Sequence, residues 1–316
     1  TLMRSSAASD VYKRQNVKKE FGENPYELQN ILKYWVRSKN DDLKVIPTDS
    51  IVMKVDKEAV RRSGMMIPGD SIPDYMHISL KGKRALYKSE LMMLEMLAEA
   101  NWERPIYMAV SVGTENHLGM GNHFVQEGLT YRFTPFDTEK TGIKLDSEKM
   151  YDNLMNKFKF GGIDKEGIYI DENAMRMCYS HRRIFSQLIG QLIREGKTDK
   201  AKAALEYAEK MIPAYNVPYD WQNGAMQMAE AYYQLGEKEK GDNIMKALAD
   251  KAVEYLTWYL SLDDQRFAMS SHEVVDYQLP ILSTEVKLMQ KYNSELAPVY
   301  DSKLNELYQM CVDRTK

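Results

Sequence analysis

A chain of 316 residues with 28% charged side chains and a net charge of −3 has room for two cores, and it lacks the basic excess that nucleic-acid binding uses. Its 21 methionines and 21 tyrosines suit adaptable helical cores better than tight β-sandwiches. No apolar run approaches the ~18–20 residues of a membrane span, and none has the pattern of a secretory signal, so the stretch reads as soluble.

Residues 1–15, TLMRSSAASDVYKRQ, resemble translated sequencing-adaptor read-through. They are expected to contribute nothing to folding, with native sequence starting near Asn16. The spacing of Leu28, Ile31, Leu32, Trp35 and Val36 predicts a helix over Pro25–Lys39, with Pro25 suited to its first turn. A strand is expected at Ile51–Val55, then a Gly- and Pro-rich loop over 63–74. Met76–Leu80 reads as another strand. Ser89 can cap a helix through Ala100, whose LMMLEMLAEA is apolar on almost every side and so reads as buried. Ile106–Val112, a nearly continuous apolar run, reads as a strand covered on both faces. Strand, buried helix and buried strand imply a right-handed parallel crossover. With a short helix near Gly121–Glu127 and a strand at Thr130–Phe136, residues 45–136 read as a small α/β sheet of about four strands.

Beyond Thr141 the pattern is helical. Ser147 can cap a helix through Phe160, ended by Gly161-Gly162. From Asp171 to Pro213, two amphipathic helices join at Gly196; Phe185, Leu188 and Leu192 mark the first, and Ala201, Leu205 and Ala208 the second. The spacing is that of a tetratricopeptide unit. A second unit turns at Gly236, with Ala225, Met228, Ala229 and Tyr232 before it and Gly241, Met245 and Leu248 after. The step between the two glycines exceeds the usual ~34 residues by about six, placing an insertion near Ala214–Tyr219. A weaker pair over Glu273–Tyr292 and Glu295–Asp313 would cap the stack. The fold class is therefore α+β: a small α/β sheet domain over 16–145, then an α-helical tetratricopeptide-like domain over 146–316. Cys178 and Cys311 lie on apolar stripes, as buried thiols or, in an oxidising compartment, a disulfide.

No residue set makes a convincing catalytic site. The turn carrying Gly113, Asn116, His117, Gly119, Gly121 and His123 could cradle an anion if a strand ran through it into a helix N-terminus. Its spacing matches neither the dinucleotide fingerprint nor a P-loop, and an ordinary connecting loop is the plainer account. His117 and His123, near Glu115, are six apart rather than at metal-ligand spacing, so they read as surface histidines; no metal and no cofactor is expected. His181 reads as a core histidine. Arg176, Arg182 and Arg183 either receive an acidic partner or pair with Asp171, Glu172 or Glu206. Asp263-Asp264 and Asp41-Asp42 are adjacent, so their side chains diverge and no acid/base pair is implied. Stacked helix pairs offer a concave surface, and Arg176, Tyr179 and Arg183 beside Gln222, Met226 and Tyr233 are its candidate partner-binding residues.

Three stretches carry a family resemblance: Asn101-Trp102-Glu103-Arg104-Pro105-Ile106-Tyr107, Glu127-Gly128-Leu129-Thr130-Tyr131-Arg132, and Met150-Tyr151-Asp152-Asn153-Leu154 with Phe158-Lys159-Phe160-Gly161-Gly162. Over about residues 16–316 the chain resembles the carboxy-terminal part of a Bacteroidetes membrane-protein family related to protein O-mannosyltransferases. The resemblance implies a multi-spanning amino-terminal region, like lipid-phosphate-sugar-dependent glycosyltransferases, that carries the acidic catalytic residue. None of that region is present, so no catalytic residue carries over. This chain would be the extramembrane accessory domain on the periplasmic side of the inner membrane, holding an acceptor or partner protein. The alternative is a stand-alone tetratricopeptide-like interaction module unrelated to glycosylation, and an enzyme using the 113–123 loop is an outside reading.

Overall fold

The computed structural model describes residues 2–4, 24–39, 44–69 and 71–315, so Asn16 and Asp41-Asp42 lie outside the described residues. The chain divides into two compact units, Thr1–Lys149 and Met150–Lys316.

The first unit contains three small sheets rather than one. β1 (Leu2–Arg4) pairs parallel with β2 (Val45–Ile46) and antiparallel with β5 (Ala85–Leu86). Of residues 1–15, which the sequence reading left out of the fold, Leu2–Arg4 form the middle strand of this sheet. β3 (Ser50–Lys54) and β4 (Tyr75–Ser79) pair antiparallel from Ser50 opposite Ser79 to Lys54 opposite Tyr75. Their period of two turns Ile51, Met53, Met76 and Ile78 into the core and leaves the alternate residues at the surface. β6 (Tyr107–Ala109), β7 (Phe124–Gln126) and β8 (Thr130–Phe133) form an antiparallel sheet with β8 in the middle.

Three expectations need correction here. The parallel crossover is absent, because Tyr75–Ser79 and Tyr107–Ala109 belong to different sheets. Of the run Ile106–Val112 only Tyr107–Ala109 is a strand; it is an edge strand, with Tyr107 43% exposed, and is not covered on both faces. The helix expected near Gly121–Glu127 is a single tight turn, Gly121–His123, followed by β7, where the β-preferring Phe124-Val125 pair with β8.

Among the helices of this unit, α1 (Leu28–Asn30) widens into a π-type turn over Ile31–Val36. α2 (Lys57–Arg62) starts where the Asp56 carboxylate accepts the Ala59 N–H at 2.9 Å. α3 (Lys88–Ala100) starts at Tyr87, whose N–H donates to Glu90 at 2.8 Å; Ser89 is therefore inside the helix. It is not buried all round. Leu94, Leu97 and Ala98 face the core, whereas Met92 and Met96 are more than half exposed. Helices α4 (Thr138–Thr141) and α5 (Ser147–Asp152) follow, and the division between units falls within α5.

The second unit is helical throughout. After α5 the chain makes a π-type turn over Asn153–Lys157. α6 (Glu172–Arg194) is capped by Asp171, which accepts the Ala174 N–H at 2.9 Å, and α7 (Thr198–Met211) returns along it. Between them Gly196 takes φ +72°, a conformation glycine enters at no steric cost. α8 (Ala225–Gln234) and α9 (Lys238–Ser261) repeat the arrangement around Gly236 at φ +79°. The third part begins earlier than expected, with α10 (Asp264–His272) capped by Asp263. A π-type turn over Glu273–Gln278 leads into α11 (Leu279–Lys291), and α12 (Ala297–Thr315) closes the chain.

The residues between the first two pairs are tied down. The Tyr215 hydroxyl donates to the Asp164 carbonyl at 2.6 Å, and the Asn216 amide donates to the Ile163 and Lys165 carbonyls at 2.7 Å each. The seam between α6 and α7 is tight: Ala201 is 0% and Ala208 1% exposed. Leucine at either position is expected to cost ~1–3 kcal/mol in urea unfolding by overpacking; no change at both would mean these alanines do not face the seam.

Candidate functional site

The six residues expected to line one groove are divided by the structure. Arg176 is exposed and pairs with Glu172 one turn away on its own helix. Arg183 and Gln222 are also exposed, and they are brought close because Gly224 lies against α6: a Cβ on Gly224 would fall 3.0 Å from the Arg183 Cα. Met226 is half-buried and lines an open groove of about 280 Å³ between α8 and α11, with Glu230, Lys287, Leu288 and Lys291. Tyr233 does not reach an open surface. Its ring stacks on Tyr292 at 4.9 Å and its hydroxyl donates to Asp242 at 2.7 Å.

Tyr179 belongs to a second cluster. Its hydroxyl is held above the ordinary pKa by burial first and by the Asp220 charge next, and Lys251 and Tyr255 are also within electrostatic reach. Lys251 donates to Asp220 at 2.6 Å and lies 5.9 Å over the Tyr255 ring. An aromatic and ionic surface thus runs from α6 across the 220 turn to α9, whereas the sequence reading used only the first helix of each pair.

Arg182 is corrected as a member of a basic surface. It is 1% exposed and donates to the carbonyls of Ile212 (2.8 Å), Val217 (2.6 Å) and Pro218 (3.1 Å), which fastens the inserted loop to α6. His181 is half-buried, its Nδ1 2.7 Å from the Met177 carbonyl and its ring edge-on to Phe158 and Phe160. Phe160 also packs on Phe185 and Tyr207, so the Phe158–Gly162 motif serves as an aromatic anchor for α6 and α7.

In the first unit the 113–123 turn differs from an anion cradle. No helix follows it, only the turns Thr114–Asn116 and Gly121–His123. Gly113 precedes the first turn in extended backbone, and Asn116 donates to the neighbouring Glu115 at 3.0 Å. Gly119 takes φ +68° with its would-be Cβ 2.6 Å from the Ser79 carbonyl oxygen, so the glycine serves close packing, while Gly121 has no such constraint. His117 and His123 are 6% and 7% exposed, which corrects the surface placement; His117 lies edge-on to Phe124. Burial pushes His123 below its ordinary pKa, favouring the neutral ring. Among the described residues no group of three or more His, Cys, Asp or Glu is placed to hold a metal ion. Cys178 and Cys311 are buried as thiols, each pushed up in pKa by burial.

Two of the motif stretches converge. Glu127, 4% exposed, accepts from the Tyr107 hydroxyl at 3.1 Å and lies 3.3 Å from the Lys149 ammonium and 3.7 Å from the Arg132 guanidinium. Arg132, 2% exposed, donates to the Ser63 carbonyl at 2.8 Å, and the Trp102 ring stacks on Phe133 at 5.3 Å. Beside them, Met96, Arg104, Pro105 and Ile106 line an open groove of about 420 Å³. The sequence signal for this cluster was a charged residue at each end of a short turn-and-strand motif. Such a pair holds two strands together without requiring a ligand.

The family model described as TMEM260-associated domain 2 matches residues 3–153, just under half of the chain. It links this segment to the TMEM260 family, related to protein O-mannosyltransferases. No curated protein and no solved structure matches the chain. Among the described residues no helix is long and apolar enough to cross a membrane.

Proposed function

We propose, from the match of residues 3–153 to a domain associated with a membrane glycosyltransferase-like family, that this chain is an accessory part of such a protein, and that its helical unit holds an acceptor or partner protein segment. The match is the observation that carries the reading. The helical unit supports it with tetratricopeptide-like pairs, an open groove beside Met226 and the exposed Arg183 and Gln222. The catalytic region belongs to another part of the full-length protein, with this part on the periplasmic side of the inner membrane, as the resemblance of the motifs implies. The experiment has two arms. The purified chain given a lipid-linked sugar donor transfers no sugar, and photo-cross-linkers at Arg183 and Met226 in native membranes trap proteins that carry the added sugar. Sugar transfer by the chain alone overturns the accessory role. Cross-links only to proteins without sugar favour the second reading, a tetratricopeptide-like interaction module unrelated to glycosylation.

A further inference from the structure

α9 has 24 residues against ten in its partner α8, so its C-terminal half outruns the pair. On one side of that half Leu256 and Leu260 are buried; the other side exposes Glu254, Tyr255 and Trp258, the last at 55%. Tyr259 sits edge-on to Trp258 with ring centroids 4.7 Å apart. The 273–278 turn packs against α9, and burial first and the Glu273 charge next hold the Tyr259 hydroxyl above its ordinary pKa. That turn exposes Val275, Asp276 and Tyr277. The result is one surface of aromatic rings edged by three carboxylates. Glu273 meets only the imidazole of its neighbour His272, at 3.3 Å, and Glu254 and Asp276 form no ion pair among the described residues. The cations at this half of α9 are already committed: Lys251 pairs with Asp220, and Arg314, which donates to the Leu260 carbonyl, pairs with Asp264 at 2.9 Å.

Exposed aromatic faces attract cations through the ring quadrupole, and carboxylates without counter-ions add to that attraction. We propose that this face of α9 and the 273–278 turn binds an extended protein segment through its arginine or lysine side chains, with the cationic head group set between Trp258, Tyr259 and Glu273. This rests on the reading of the helical unit as a binding module and names the chemistry of what it binds. An anionic membrane surface would be repelled by the same carboxylates, and a second copy would bring a like-charged face.

The test uses the intact chain and a fluorescein-labelled peptide of glycine and serine carrying four arginines, followed by anisotropy. Saturable binding is expected at 50 mM salt, weakened about tenfold or more at 300 mM, because exposed charges are screened. A matched peptide with serine replacing arginine, and a neutral oligosaccharide used as competitor, have no effect. Trp258→Ala, and Glu254→Gln combined with Glu273→Gln and Asp276→Asn, each reduce affinity at least tenfold; these are surface positions, and unchanged melting curves confirm folding. Equal affinity of the variants, equal binding of the serine peptide, or displacement by the oligosaccharide overturns the proposal. If that happens while the Met226 cross-links persist, this surface is rejected and the module reading stands; loss of both rejects both.

Discussion

Replacing Glu285 with glutamine is expected to stabilise the helical unit, by little near pH 5 and by several kcal/mol at pH 8. Glu285 lies on the inner face of α11 and is 1% exposed, and its Oε2 has no hydrogen-bond partner. Burial, and then the charge of Asp220, push its carboxyl from the ordinary 4.5 up to about 8. The charged groups nearby offer no relief. Asp220 already binds Lys251, and the Tyr300 hydroxyl, which also feels Glu285, donates to Asp250. A folded pKa above the unfolded one means that the folded state holds the proton more tightly. The stability this contributes is complete below about pH 4.5 and is lost as the pH rises through 8. At ~1.4 kcal/mol per pH unit, the loss over that span is on the order of 3–5 kcal/mol. Urea unfolding at pH 5 and pH 8 measures it: the wild type weakens between the two and Glu285→Gln changes little. Parallel pH dependence in the two proteins would show that Glu285 is not buried in this way.

Arg182→Ala is expected to destabilise the same unit by about 3–5 kcal/mol, since it strips a charged donor from three carbonyls at once. Those carbonyls belong to the end of α7 and the inserted loop, so the loop that carries Tyr215 and Asn216 loosens with them. Arg182→Lys keeps the charge but replaces a planar fork with a point donor that cannot reach all three, and an intermediate loss follows. Thermal unfolding ranks the three proteins, and proteolysis near residues 213–219 should rise in the same order. An alanine variant as stable as the parent would remove Arg182 as the fastener of this loop.

Much of the helical unit was legible in the sequence. The stripes of α6 and α7 and the glycines at 196 and 236 are local signals, and the structure repeats them with positive φ at both turns. Arg182 and Glu285 were legible in a weaker sense. Arg182 falls between Cys178 and Phe185 and Glu285 beside Leu282 and Val286, so each charge interrupts an apolar stripe at helical spacing. Reading Arg182 as part of a solvated basic face ignored that register. Tyr233 was read as facing the groove, and its stacking on Tyr292 instead keeps it from an open surface.

The sheet region divides the same way. The alternation in β3 and β4 states which side chains turn inward, because a strand's period acts between neighbours. It says nothing about partners. Tyr107–Ala109 could be expected as a strand, but its place at the edge of an antiparallel sheet depends on Thr130–Phe133, more than 20 residues on. The same is true of Glu127 with Tyr107 and of Arg132 with Ser63. Capping, helical period and strand alternation are written within a few residues and survive without the rest of the chain. Sheet partners, the burial of His117 and His123 and the protonation of Glu285 arise only when distant segments exclude water together, so they belong to the tertiary structure.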